Sequence, residues 1–132
     1  MSQQDIRPPF DLEQRTSQFA RRVRQFVKRL RLGVSNLDDA RQVVRSSGSI
    51  GANYIEANES LGRKDFLMRL RIARKEAKET RYWLTLIDVC DDVELLQERD
   101  VLAQESHELM CIVAAILRKS EAADKQTISA GE

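Results

Sequence analysis

The sequence predicts an all-α protein, an antiparallel up-down-up-down four-helix bundle, and three observations carry the prediction. Apolar residues recur at alternating steps of four and three along almost the whole chain, the spacing of a helical stripe buried in a bundle. The interruptions are few and short, with 5 Gly and 2 Pro in 132 residues. Hydrophobic residues make up 42% and charged residues 33%, enough for one core and far from a disordered composition. Short links between long helices make sequence neighbours antiparallel.

The first helix is expected from about Asp11, after Pro8-Pro9-Phe10, with Asp11 as N-cap and Gln14 in capping-box position. Its seam is Leu12, Thr16, Phe19, Val23, Phe26 and Leu30. "LGVSN" ends it, and a second helix starts near Ser35 or Asn36 and runs to about Ser60. That helix contains "SSGSIGANYIEA", whose glycines and serines suggest a phosphate-cradling turn. However, Ala40, Val44, Ser47, Gly51, Tyr54 and Asn58 step 4-3-4-3-4 through it, and Val43, Ile50, Ala57 and Leu61 form a second row. No strand precedes the glycines, and neither GK[ST] nor GxGxxG is present, so the stretch reads as helix. Each helical glycine costs about 1 kcal/mol relative to alanine, so a closely packed neighbour must offset it.

The third helix is expected from about Lys64 to Cys90, on the seam Phe66, Leu70, Ala73, Ala77, Thr80, Leu84 and Ile87. A second stripe, Met68, Ile72, Glu79, Trp83, Leu86 and Cys90, lies on another face. A bundle needs one buried stripe per helix, so the second points to a homo-oligomer, with Trp83 beside Tyr82 and Arg81 as an interface anchor. A fourth helix follows from about Val93 to Ser120, with Val101, Leu102, Leu109, Ile112, Val113, Ile116 and Leu117 inward. The domain plan is a flexible segment over 1–10, a bundle over 11–121 and a disordered tail over 122–132.

Charge is segregated beneath a net value of +1. Residues 1–32 carry +5 and 63–90 carry +4, whereas 33–62 carry −2 and 91–132 carry −6. On the first helix Arg21, Arg24, Lys28 and Arg31 step 3-4-3 away from the seam, flanked by Arg15, Arg22 and Arg29. On the third, Arg71, Arg74, Lys78 and Arg81 repeat the spacing. Such rows suit nucleic-acid phosphates, and the arginine excess favours bidentate contacts. Against this stands the acidic fourth helix, which can neutralise part of the charge. Little aromatic interleaving argues against stacking on single-stranded bases.

A polar row, Ser49, Asn53, Glu56 and Ser60, could meet Glu76 and Glu79 with Arg81 in a network that sets register. A single histidine, His107, excludes the paired Glu-x-x-His motifs of di-iron bundles and any specific triad. Cys90 and Cys111 show no metal-ligand spacing and read as reduced core thiols. The expectation is a non-enzymatic protein with no cofactor or metal. No apolar run reaches membrane-spanning length and no signal pattern begins the chain, so a cytoplasmic location is expected.

The stretch "SSGSIGANYIEANESLGRKDFLMRLRIARKEAKETRYWLTLI" closely resembles the four-helix bundle protein family related to proteins encoded in intervening sequences of bacterial 23S rRNA genes. Its Ser-Ile-x-Ala-Asn element is matched by Ser49, Ile50, Ala52 and Asn53, followed by Glu56 and Ala57. Phe66, Leu70, Ile72 and Ala73 match a second element, and Lys75 through Leu84 match the Lys-Glu-Ala-x-Glu-Thr-Arg-Tyr-Trp-Leu run. Many relatives have proline at the position of Gly51 and glycine at that of Ala57. The resemblance implies a small bacterial protein forming ring-like homopentamers, without established enzymatic activity. It extends to the accessory protein of diversity-generating retroelements, a basic pentamer thought to engage RNA and a reverse transcriptase. RNA binding, ribosomal RNA included, is the expected function; a protein–protein scaffold that binds no nucleic acid is the alternative.

Overall fold

The computed structural model describes residues 11–131, with side chains through residue 126. Its elements are α1 (Leu12–Lys28), α2 (Val34–Asn58), α3 (Arg63–Leu86) and α4 (Val93–Gly131), and no strand occurs among the described residues. The expectation for residues 1–10 lies outside them. Contacts join α1 to α2, α2 to α3, α3 to α4 and α4 back to α1, so the four helices surround one core.

Helix α1 buries the seam its spacing predicts, Leu12, Thr16, Phe19, Val23 and Phe26, with Leu30 continuing it into the turn. Asp11 makes no side-chain hydrogen bond to a backbone N–H of the first turn, so the expected cap is not formed; its carboxylate accepts from the Gln14 side-chain amide at 3.0 Å. The helix stops at Lys28, where Arg29 N and Leu30 N tighten onto Phe26 O and Val27 O at 3.1 Å.

Helix α2 starts one residue early, from Gly33 in extended conformation, because Asn36 is used elsewhere. The buried Asn36 amide donates to Arg31 O at 3.0 Å and Asp88 O at 2.7 Å, and its oxygen accepts from Asp88 N at 3.0 Å. It thereby clasps the α1–α2 turn to the segment after α3. The glycines and serines are helical, as the unbroken period requires. An added Cβ at Gly51 would lie 2.7 Å from Thr16 Oγ1 and 3.1 Å from Thr16 Cβ, so α1 approaches as closely as glycine allows. Ser46 does the same toward α3, accepting from Thr80 Oγ1 at 2.7 Å. Leu61, expected in the second row, lies past the helix end and is fully exposed.

Helix α3 is shorter than its pattern. It ends at Leu86, and Ile87 is buried but extended, with Val89 buried behind it. Cys90 has φ 57°, a left-handed conformation uncommon outside glycine, and its N–H donates to Asp88 Oδ1 at 2.8 Å. The Asp91-Asp92 turn forms as expected: Asp92 Oδ1 accepts from Leu95 N at 3.0 Å and caps α4. In α4 the residues facing the core are Leu95, Leu102, Ser106, Leu109, Val113 and Leu117, whereas Val101, expected inward, is exposed. The helix does not stop at Ser120. Residues 122–130 hold no glycine or proline and several strong helix formers, and the structure carries the helix to Gly131. Within this stretch Asp124 accepts from Arg63 Nε at 2.6 Å, and residues 122–131, expected as a disordered tail, are helical.

Candidate nucleic-acid interface

The structure separates the arginines of α1 into two rows. The flanking row is neutralised by α4: Arg15 grips Glu105 through two hydrogen bonds of 2.7 Å and reaches Glu108 at 3.2 Å. Arg22 meets Glu98 at 2.8 Å and Arg29 meets Glu94 at 3.4 Å. Partner numbers fall on α4 as they rise on α1. The hydrogen bonds to Glu105, outweighing partial burial, hold the Arg15 guanidinium charged well above its ordinary range.

The other row stays uncompensated. Arg21 and Lys28 are exposed and have no hydrogen-bond or ion-pair partner among the described residues. Arg24 donates only to backbone carbonyls, Nη1 to Ala20 O at 3.0 Å and Nη2 to Val44 O at 3.4 Å. Arg31 departs from the row. Because the helix ends at Lys28, the 3-4-3 spacing no longer holds its register, and Arg31 lines a cavity with Asp91 and Asp92.

The basic row of α3 lies elsewhere, toward α4. Arg71 is paired with Glu121 at 2.7 Å, and Arg81 Nη1 lies 2.7 Å from His107 Nδ1. Arg74 and Lys78 are exposed without such partners among the described residues. α1 and α3 are not neighbours in the bundle, so the two basic rows lie on different helix pairs.

The polar network forms between α2 and α3 with altered membership. Asn53 Nδ2 donates to Ser49 O at 2.9 Å and Ser49 Oγ at 3.0 Å, and its oxygen accepts from Arg69 Nη1 at 3.2 Å. The buried Glu76 carboxylate accepts from Arg45 at 2.9 Å, and Glu79 lies 3.5 Å from the same guanidinium. Arg81 is not a member because it points to α4, and the exposed Glu56 contributes only its carbonyl, to Ser60. Arg45 and Arg69 were not anticipated. Arg45 was legible: it precedes Ser49 by one turn and extends the polar row backward.

The second stripe of α3 borders this network. Met68 and Leu86 are each 47% exposed, whereas Ile72 and Trp83 are half-buried. Trp83 packs against the core and meets Tyr82 edge to face at 5.1 Å, so it is only partly enclosed. Trp83 Nε1 and Arg69 Nε are buried without a hydrogen-bond partner among the described residues. Cys90 does not extend the stripe, since it lies beyond the helix. Both cysteines are exposed and unpaired, which corrects their reading as core thiols. Cys111 Sγ lies 3.6 Å from His107 Nε2. No group of three or more His, Cys, Asp or Glu side chains among the described residues could hold a metal ion. No helix among them is long and apolar enough to cross a membrane.

The geometry defines the class: an all-α bundle of four helices with uncompensated basic residues along α1, a polar α2–α3 seam and a half-exposed apolar stripe. The chain belongs to the 23S rRNA-intervening sequence protein family, whose sequence model matches residues 10–119. It is similar to a crystal structure of a protein of unknown function from the S23 ribosomal protein family of Bacteroides thetaiotaomicron. The two share 28% identity and a TM-score of 0.68, over 83% of this chain and 97% of the other. No curated protein matches the sequence.

Proposed function

We propose that this protein is a non-enzymatic, cytoplasmic RNA-binding protein, built as an antiparallel up-down-up-down bundle that assembles as a homo-oligomer. One observation carries the RNA reading. Of two basic rows along α1 and its C-cap, Arg15, Arg22 and Arg29 are neutralised by carboxylates, and Arg21, Arg24 and Lys28 are not. An uncompensated row has a net field that attracts a polyanion. The family name, which refers to 23S rRNA, makes ribosomal RNA the first candidate. Opposed numbering in the α1–α4 pairs supports the antiparallel arrangement. Met68 and Leu86, with Trp83 between them, supply the face for a second copy, and the family resemblance points to a pentamer.

The test is fluorescence anisotropy with labelled structured RNA at two salt concentrations. Salt-sensitive binding that weakens when Arg21, Arg24 and Lys28 become Glu is expected. Absence of binding at low salt refutes it and leaves the protein–protein scaffold, with the basic helices serving the acidic ones.

A further inference from the structure

We infer that the ligand of the α1 row is a helical duplex, held by its phosphodiester backbone along the α1–α2 seam, and that Arg41 of α2 is a further binding residue. This rests on the nucleic-acid reading above and specifies which form of nucleic acid the surface takes.

The seam is defined by Arg24. Its guanidinium crosses from α1 to α2, bonded to Ala20 O on one side and Val44 O on the other, above Gly48. Two of its five N–H groups are thus spent on carbonyls, which orient the fork without neutralising it. The contacts of Thr16 with Gly51 and of Arg24 with Gly48 and Val44 set the helix register: numbers rise on α1 and fall on α2. One turn beyond Arg24 on α1 is Lys28; one turn before Val44 on α2 is Arg41. Arg41 is exposed and has no hydrogen bond or ion pair among the described residues. The register therefore sets Arg41 near Lys28, extending the uncompensated charge from one helix to two.

The floor of the seam decides the form of the ligand. A groove of about 360 Å³ opens there, lined by the small residues Ser17, Ala20, Gly48, Gly51 and Ala52. Among the described residues no aromatic side chain lines it. Phe19, Phe26 and Tyr54 are buried in the core, whereas Phe66, Tyr82 and Trp83 belong to α3. Single-strand binders draw on stacking against such rings, and the described residues of the seam offer none. What the seam offers is cations on two rigid helices. From Arg21 to Lys28 the row spans about 10 Å, over which a duplex presents about six phosphate charges and a single strand about three. The duplex therefore presents the stronger negative field to the row. At one end of the groove Glu13 limits the path, so the backbone runs from Arg21 toward Arg41.

The experiment measures full-length protein against duplex RNA, duplex DNA and oligo(U) of equal length by anisotropy across a salt series. Arg41→Glu and, as a control on α4, Arg118→Glu are tested beside the unaltered chain. Duplexes are expected to bind at least about tenfold tighter than oligo(U), and the RNA and DNA arms distinguish the two sources of the same backbone. Arg41→Glu is expected to lower the salt slope by about one and Arg118→Glu to leave it unchanged, both variants keeping their helical circular dichroism. Oligo(U) binding equal to or tighter than the duplexes overturns the inference, as does an unchanged slope in Arg41→Glu. If no probe binds at low salt, the nucleic-acid reading itself has failed, a result separable from either of those.

Discussion

Alanine at Gly51 and alanine at Gly48 are expected to act oppositely on stability, although both lie in the interior of α2. Either substitution gains about 1 kcal/mol of helix propensity, so this contribution cancels when the two variants are compared. The difference between them is the contact alone. At Gly51 the new Cβ meets Thr16 at 2.7 Å and 3.1 Å. Thr16 cannot turn away freely, because it is buried and its hydroxyl donates toward Leu12 O at 2.9 Å and Glu13 O at 3.0 Å. Overpacking of this kind costs about 1–3 kcal/mol, leaving Gly51→Ala neutral to about 2 kcal/mol less stable. At Gly48 the new Cβ meets only Arg24 Nη2, at 3.2 Å, the far end of a flexible side chain that can yield. Gly48→Ala should therefore approach the full gain of about 1 kcal/mol. Urea unfolding at one protomer concentration measures both, since self-association would otherwise shift the midpoints. Unfolding free energies within about 0.5 kcal/mol of each other would refute the claim that Thr16 is what requires glycine at position 51.

Asn36→Ala removes the clasp between Arg31 and Asp88; a loss of about 2 kcal/mol is expected, with faster hydrogen exchange at the Asp88 amide. A change below about 0.5 kcal/mol would mean that water replaces the side chain. Arg45→Met strands the Glu76 carboxylate, whose side chain is 8% exposed. Because Arg45 itself is 53% exposed, the expected loss is only about 1 kcal/mol. Adding Glu76→Gln should recover most of it, and a double variant no better than the single would show that the pair is not the cause. Met68→Glu with Leu86→Glu places charge on the half-exposed stripe. Sedimentation is expected to show a smaller species with unchanged helical content, and an unchanged mass would remove this face from the assembly.

The helices were legible because burial on one side of a helix leaves a period in the sequence, and that period survived the glycines of α2. Leu12, Thr16, Phe19, Val23 and Phe26 were identified as a seam by spacing alone and are buried together. Where the reading erred, a local pattern outlasted the helix. Arg31 and Cys90 continue a spacing whose helix has already ended, at Lys28 and at Leu86. Val101 has the residue type of a core position but not its direction.

What the sequence determined by itself was therefore the helical class, the inward stripes and the segregation of charge, since these follow from residue type and period. Tertiary structure alone decided which charges remain available. Arg15 and Arg21 are alike in sequence terms, yet one faces the carboxylates of α4 and the other solvent. The same holds for Arg81, which turns to His107, while Arg45 and Arg69 enter the α2–α3 seam. A charge is neutralised by a partner distant along the chain, and only the packing of one helix against another sets that partner within reach.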